Sequence, residues 1–323
     1  MRLMHLWRCS ALALAAFACG PSFSQAWPAK PVKIVTAFGP GSASDIVARL
    51  LARELQSEYG QPFIVENKPG ASGIIAAEFV ARSTADGYTL LLTTNTINSG
   101  NPHLFKKLPY DPIRDFTPVA RVCNFLFILV VSADQPIKTV SDLESFAKAH
   151  PNKVSFAYGN STGQVAGAAF NALAGLNALA VPYKSTPQAL SALVGGEVTY
   201  LFVDLASSQS LEKAGRVRAL AITTENKSPL APELPTLASS ADLPGFDLAA
   251  WVGVVGPAAL PGDITNKLSA SINRILRRKE VVDKLTSLGA DVSPGTAAEL
   301  QSYMSRQYVV WGDKIKAAGI QPE

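Results

Sequence analysis

Two loops rich in glycine, serine and asparagine carry the residue types that could bind a small anion. The first, Gly39-Pro40-Gly41-Ser42, separates an apolar, β-branched stretch (33–38) from one with apolar residues at helical spacing (46–55). This pattern predicts a strand, a turn and a helix whose first N–H groups and dipole attract negative charge, with Ser42 or Ser44 as N-cap. A turn that needs glycine only for its backbone angles is the competing interpretation.

The second loop, Asn160-Ser161-Thr162-Gly163-Gln164, follows a predicted strand at 154–158 and offers amide, hydroxyl and backbone donors at another helix start. An N-cap without a ligand is the competing interpretation. Lys184 follows a further short strand and is either a cation for the site or a solvated lysine. Asp204 ends an apolar strand and is either a helix cap or an acceptor facing the site.

The first loop also resembles half of a dinucleotide-binding fingerprint. Gly39-x-Gly41 follows a strand, and Glu66 ends the next strand, where such folds place the acid that binds a ribose hydroxyl. Ser44, however, stands where the third glycine belongs. The missing glycine disfavours a nicotinamide site, and we expect no cofactor.

Recognisable catalytic machinery is sparse. Of the three histidines, His5 lies in the leader described below, whereas His103 and His150 adjoin prolines away from the strand-end loops. No G-x-S-x-G, H-E-x-x-H, Walker A or EF-hand pattern occurs in the sequence. A serine–lysine pair stays open, because three lysines lie near loops: Lys68, Lys153 and Lys184. The sequence favours a binding protein over an enzyme and predicts no catalytic or metal site.

The first 26 residues have the pattern of a secretory signal peptide. Arg2 and Arg8 precede a short apolar run (11–18), and Ser24-Gln25-Ala26 is a small-x-small cleavage site, so the mature chain is expected to begin near Trp27. A lipoprotein signal ending at Cys19 is the alternative. Either cleavage removes Cys9 and leaves at most Cys19 and Cys123. With cleavage at Ala26, Cys123 is alone, beside an apolar run, and is expected to be a small buried residue.

The charge composition argues against some classes of binding partner. Loss of Arg2 and Arg8 reduces the 29 basic residues to 27, against 25 acidic ones, and no basic block remains. Near-neutral charge argues against nucleic acid and anionic membranes as partners. The apolar runs of the mature chain are too short to cross a bilayer, so a soluble periplasmic protein, expected to be a monomer, is predicted.

The order of elements predicts two α/β units. Strands alternate with helices up to residue 94, which predicts a parallel sheet with its ligand-binding loops on one edge. A loop is expected at 97–115, a strand crossing to the second unit at 125–131, and a return crossing at 248–255. A helix is expected to be capped at Ser141, and only helices are expected after 255. We therefore expect domain 1 at 27–124 with 251–323, domain 2 at 125–250, and a cleft between them.

Several segments in a common order resemble the Bug proteins, the TctC-type receptors of tripartite tricarboxylate transporters. The matching segments in the first half are Trp27-Pro28, Phe38-Gly39-Pro40-Gly41-Ser42 with Asp45, Glu66-Asn67-Lys68-Pro69-Gly70-Ala71-Ser72-Gly73 and Asp86-Gly87-Tyr88-Thr89-Leu90. Those in the second half are Val181-Pro182-Tyr183-Lys184, Gly195-Gly196-Glu197-Val198, Leu234-Pro235-Thr236-Leu237 and Leu243-Pro244-Gly245-Phe246. The likeness extends over the whole mature chain.

This resemblance implies a type II periplasmic-binding-protein fold that closes on a small organic anion and delivers it to membrane permease subunits. Together with the candidates named above from their residue types, the expected ligand-binding residues are Phe38, Gly39, Pro40, Gly41, Ser42, Ser44, Asp45, Ala71, Ser72, Gly73, Thr94, Asn95, Asn160, Ser161, Thr162, Gly163, Gln164, Lys184 and Asp204. Gln164 stands where many members have histidine, and Ser42-Ala43-Ser44 replaces commoner glycine and threonine. Two alternatives stay open: a secreted Rossmann-like or hydrolytic enzyme, and an extracytoplasmic sensor partner, for example of a sensor kinase, without a transport role.

Overall fold

The computed structural model describes residues 27–240, 243 and 246–323, and in them two mixed sheets are flanked by helices. The predicted signal peptide, 1–26, lies outside the described residues. The strands of the first sheet are β1 (Val32–Thr36), β2 (Phe63–Asn67), β3 (Thr89–Thr94), β4 (Phe116–Phe125), β10 (Ala250–Pro257) and β11 (Ala290–Gly295). Their order in the sheet is β11-β4-β10-β3-β1-β2.

The second sheet has the order β7-β6-β8-β5-β9. Its strands are β5 (Phe127–Ser132), β6 (Ser155–Tyr158), β7 (Leu179–Pro182), β8 (Tyr200–Asp204) and β9 (Val217–Ile222). Each sheet therefore has a parallel part, β1 to β3 and β6 to β8, onto which antiparallel strands are added.

The helices follow the strands as the alternation predicts. They are α1 (Ala43–Tyr59), α2 (Ile74–Ala81), α3 (Asn101–Leu104), α4 (Val140–Ala149), α5 (Ser161–Ala174), α6 (Thr186–Val194), α7 (Leu205–Lys213), α8 (Leu237–Ser240), α9 (Gly262–Ile275), α10 (Lys279–Thr286) and α11 (Ala297–Ala317). On α1 the buried face carries Val47, Leu51 and Leu55 at helical spacing, which covers one side of the first sheet. The carboxyl ends of β1 and β3 therefore lie at the same edge of the sheet as the N-terminus of α1.

The predicted single strand at 125–131 is wrong. Leu126 divides the run into β4 and β5, which belong to different sheets, so the chain changes sheet at one residue. The Leu126 N–H donates to the Gly289 carbonyl, and its own carbonyl accepts from the Leu205 N–H. Because the changeover is buried and its backbone groups are satisfied by other elements, no polar residue marks it in the sequence.

Three other expectations are corrected. β11 follows β10, although only helices were expected there; it is an edge strand, where Pro294 needs no ladder partner. The segment 97–115 is not all loop, because a π-helical turn (Thr96–Gly100) leads into α3. The cap of α4 is Thr139, not Ser141: its side chain accepts from the Asp142 N–H in a capping box.

Candidate functional site

The turn before α1 has the form that its residues predict. Gly41 has φ +81°, a left-handed conformation that favours glycine, and Ser42 caps the helix by accepting from the Asp45 N–H at 3.3 Å. The Asp45 carboxylate accepts from the Gly41 N–H at 3.0 Å and from Asn67 Nδ2 at 2.8 Å. It also pairs with Arg49 at 2.9 Å. Asp45 therefore holds the turn in shape.

Three helices of the second unit begin beside one another. Asn160 caps α5 by accepting from the Gly163 N–H at 2.9 Å, and its Nδ2 donates to Thr186 Oγ1, at the start of α6, at 3.2 Å. Asp204 caps α7 by accepting from the Ser207 N–H at 2.8 Å. These strand-to-helix turns end β6, β7 and β8, which are parallel neighbours in the second sheet.

A small cavity, with about 30 Å³ open to the centre of a water-sized sphere, lies where these turns meet those of the first sheet. Its walls are formed by Phe38, Ser42, Ala43, Ser44, Thr94, Asn95, Thr96, Phe125, Phe127, Asn160, Thr162, Thr186, Asp204, Ala250 and Val252. The N-terminal ends of α1, α5, α6 and α7 all contribute residues to it. Among these described lining residues Asp204 alone has an ionisable side chain, so the groups that favour an anion in the cavity are helix dipoles and backbone N–H groups.

Two buried polar atoms in the cavity wall have no hydrogen-bond partner in the described part of the chain. They are Thr94 Oγ1 and Asn95 Oδ1, on residues that are 6% and 1% exposed. Asn95 Nδ2 is bonded to Thr162 Oγ1 at 2.7 Å, so in either orientation of its amide one polar atom stays unpaired. Unpaired buried polar groups are costly, and a polar ligand in this cavity would satisfy them.

Direct side-chain bonds join the two units across the cleft. Besides Asn95–Thr162, Ser161 Oγ donates to Asn101 Oδ1 at 2.8 Å, and Asn101 Nδ2 donates to the Ser72 carbonyl at 2.9 Å. Ser161 and Asn101 are fully buried. The structure therefore has a closed cleft, in which the N-terminus of α5 contacts the π-helical turn after β3.

The structure brings eight of the nineteen predicted ligand-binding residues into the cavity wall: Phe38, Ser42, Ser44, Thr94, Asn95, Asn160, Thr162 and Asp204. It places the other eleven outside that wall: Gly39, Pro40, Gly41, Asp45, Ala71, Ser72, Gly73, Ser161, Gly163, Gln164 and Lys184. Lys184 is exposed, Ser161 is used in the cross-cleft bond, and Gly73 packs against Ala37 and Ile97. Ligand contact by any of the nineteen stays a prediction.

Sequence reasoning missed seven lining residues: Ala43, Thr96, Phe125, Phe127, Thr186, Ala250 and Val252. Thr186 had a usable signal, because Ser185-Thr186-Pro187 after a short strand is typical of a helix start. The polar run Thr93–Asn101 had another, since its threonines, asparagines and serine are all buried. The apolar wall residues had none, because their strands read as ordinary core.

The remaining candidate chemistry lies outside the cavity. His103 contacts the Tyr308 carbonyl and His150 the Phe146 carbonyl. Cys123 is buried as expected, and burial raises the pKa of its thiol. No metal-binding group of histidine, cysteine or acidic residues is found among the described residues. In the same part of the chain, each helix is too short or too polar to cross a bilayer.

Comparison with known proteins identifies the family. The family model described as "Tripartite tricarboxylate transporter family receptor" matches residues 47–320. The chain belongs to this receptor family. Among curated members, the protein BugT of Bordetella pertussis is 30% identical over 302 residues, which are 93% of this chain and 92% of BugT. The predicted likeness to TctC and Bug proteins is therefore confirmed.

Solved structures of similar receptors have the same fold. The R. palustris protein Rpa4515, described with adipate, has a TM-score of 0.89 and 34% identity, and the match covers 92% of this chain and all of that one. MatC from Rhodopseudomonas palustris, described with bound malate, has a TM-score of 0.84 and 32% identity, with 90% and 100% coverage. The predicted periplasmic-binding-protein fold is confirmed.

Proposed function

We propose that this receptor binds a small organic carboxylate between its two α/β units and delivers it to the membrane subunits of a tripartite-type transporter. The observation that carries the proposal is the cavity itself: four helix N-termini meet there, beside the unpaired Thr94 and Asn95 atoms. Such a site attracts an anion without a cationic side chain. Neutral donors distributed over both units also make binding depend on closure.

Two relatives support this ligand class. Rpa4515 and MatC are described with adipate and malate, which are both dicarboxylates, and each is more than 30% identical to this chain over at least 90% of its length. Adipate and malate differ in length and in one hydroxyl group. The family likeness therefore supports a carboxylate as the ligand. The residues of this cavity determine which ligand size and which substituents are bound.

We infer that the chain divides into domain 1, at 27–124 with 251–323, and domain 2, at 125–250. The first-sheet strands come from the former ranges, apart from the ends of β4 and β10, and the second-sheet strands from the latter. Rotation about the two connections, near Leu126 and before β10, would open the cleft. The cross-cleft bonds of Ser161 and Asn95 would then break.

We also propose that the protein works in the periplasm, after removal of residues 1–26, as a receptor without catalytic activity. The pattern of the leader supports export. The engagement of His103 and His150 with backbone carbonyls away from the cavity supports binding over catalysis. N-terminal sequencing of the exported protein, with a start near Trp27 expected, tests the first part.

Native mass spectrometry of the purified mature protein, followed by calorimetry, tests the ligand class. A co-purified organic acid, and binding of carboxylates with little or no binding of the matching amides, are expected. Equal affinity for acid and amide would contradict the proposal, and turnover of the bound compound would favour the enzyme alternative. Uptake of the labelled ligand by cells with and without the gene distinguishes a transport role from a sensor role.

A further inference from the structure

Asp204 places a carboxylate in the wall of a cavity that otherwise suits an anion. It is the last residue of β8, lies opposite Phe127 of β5 in the sheet register, and is 4% exposed. Among the described lining residues no lysine, arginine or histidine accompanies it. A buried carboxylate without a cation beside it is unfavourable unless hydrogen-bond donors satisfy both of its oxygens.

The fold satisfies only part of this carboxylate. Oδ1 accepts from the Ser207 N–H at 2.8 Å, as the cap of α7 requires. The two oxygens of a carboxylate can accept about four hydrogen bonds, and among the described residues only Ser207 and the backbone of Asp204 itself act as donors to it. Phe127, which lies opposite Asp204 in the sheet register, has a side chain that cannot donate. Burial raises the pKa of Asp204, and the hydrogen bonds from Ser207 oppose that rise.

A ligand carboxylate that enters this cavity meets repulsion from Asp204 unless a donor stands between the two negative groups. We propose that Asp204 selects ligands that carry, besides their carboxylate, a hydrogen-bond donor for its free oxygen: a hydroxyl or an ammonium group. This inference rests on the proposed function and restricts the class of ligand. A protonated Asp204 is the rival state, because it would itself donate to a carboxylate and would need no donor on the ligand.

Matched ligands separate these cases. The probes are succinate, 2-hydroxysuccinate and 2-aminosuccinate. The corresponding six-carbon acids are compared in the same way, in case the cavity binds a longer ligand. For the wild type we expect the hydroxy or amino acid to bind about tenfold or more tightly than the unsubstituted acid, which is the effect of one hydrogen bond to a charged group. Calorimetry in buffers of different ionisation enthalpy should show no proton uptake with the preferred ligand.

The variant Asp204→Asn keeps a side chain that caps helices but removes the charge. We expect the preference over the unsubstituted acid to fall below about threefold, because the unsubstituted acid gains affinity and the donor-bearing acid loses it. Asp142→Asn is the matched control, since Asp142 is an exposed carboxylate at the start of α4 and lies outside the cavity. It should leave all affinities unchanged.

The outcomes distinguish the inference from the function on which it rests. If dicarboxylates bind but the wild type shows no preference, or if Asp204→Asn changes every affinity by the same factor, the inference is wrong and the receptor function stands. Proton uptake with an unsubstituted acid of equal affinity would also overturn it in favour of the protonated state. If no carboxylate binds the wild type, the proposed function and the inference are both overturned. A wild type without the preference overturns the inference even if the variant does not fold.

Discussion

At the scale of single residues, Asp45 shows how a carboxylate can lie beside an anion site without opposing it. Burial, the largest influence, would raise the pKa of Asp45, but the hydrogen bonds from Arg49, Asn67 and the Gly41 N–H together hold it below its usual value. The charge therefore fixes the turn that presents the N-terminus of α1. Asp204 has no comparable set of partners, which is why the two acids have different proposed roles.

The first prediction concerns Asp45→Asn. Because the folded-state pKa of Asp45 lies below the unfolded value of about 3.9, its stabilisation is present above about pH 4 and is lost as the pH falls through the folded-state pKa. Asp45→Asn should lower the free energy of unfolding by about 1–3 kcal/mol at pH 7. The difference from wild type should shrink in urea titrations below pH 4. The exposed Asp263→Asn is the control, and a pH-independent difference would contradict the account.

A second prediction concerns Ser161, whose hydroxyl bonds Asn101 across the cleft at 2.8 Å. Ser161→Ala removes a bond that forms only on closure, so it should weaken ligand binding about three- to tenfold. It should leave the melting temperature of the open, ligand-free protein unchanged. Ser305→Ala, which removes a hydroxyl bonded within α11 to the Gln301 carbonyl, is the matched control. A loss of ligand-free stability would show that Ser161 serves the fold alone.

At the scale of elements, close approach of two turns brings the N-termini of α5 and α6 together. A Cβ atom at Gly159, before α5, would overlap the backbone of Ser185 and Thr186 at the start of α6. The obstacle is backbone, which cannot rotate away as a side chain can. This glycine is therefore needed for proximity, not for a left-handed turn, and it sets the spacing between two walls of the cavity.

The third prediction follows from this contact. Gly159→Ala should push the N-termini of α5 and α6 apart and lower the free energy of unfolding by about 1–3 kcal/mol. The loss in free energy of ligand binding should be larger than this loss in free energy of unfolding. Gly262→Ala, at the start of α9, is the control because no atom lies within 4 Å of the added Cβ position. Denaturant unfolding and calorimetry on both variants check it. Equal behaviour of the two variants would contradict the prediction.

At the scale of the whole molecule, the cavity belongs to neither sheet alone. Ser42 and Thr94 come from turns of the first sheet, whereas Asn160 and Thr186 come from turns of the second. Each half offers donors, but only the closed cleft excludes water and gives those donors their full strength. The turn at 38–45 by itself is therefore expected to bind no ligand tightly.

The fourth prediction tests that dependence by hydrogen exchange. Saturating ligand should slow exchange of backbone amides at 42–45 and at 160–164 together, because one ligand would contact turns of both sheets. At a ligand concentration of about 100 times Kd, the added stability should be about 2.7 kcal/mol. Amides of α9, remote from the cavity, are the internal control. Protection of one turn without the other would contradict a closing cleft.

Local patterns predicted much of this architecture correctly. The parallel part of the first sheet, β1 to β3, follows from the alternation of strands and helices, and Ser42 and Asn160 are caps, as their positions before helices indicate. β11 and the sheet change at Leu126 were missed. An edge strand with a proline and a buried crossing without polar residues have no local signature, since neighbours distant in the chain define both.

The sequence by itself determined the alternating α/β plan, the leader pattern, the family likeness and the residue types at the two principal turns, because periodicity, caps and turn chemistry are encoded within a few neighbouring residues. Only the tertiary structure decided which polar groups share the cavity. Asp45 comes after a strand and Asp204 ends one, yet Asp45 is paired with Arg49 and hydrogen-bonded by Asn67, whereas Asp204 lies in the cavity wall. Pairing across the cleft joins residues more than 60 positions apart, such as Asn95 and Thr162. Packing of whole elements sets those distances, and no local pattern records them.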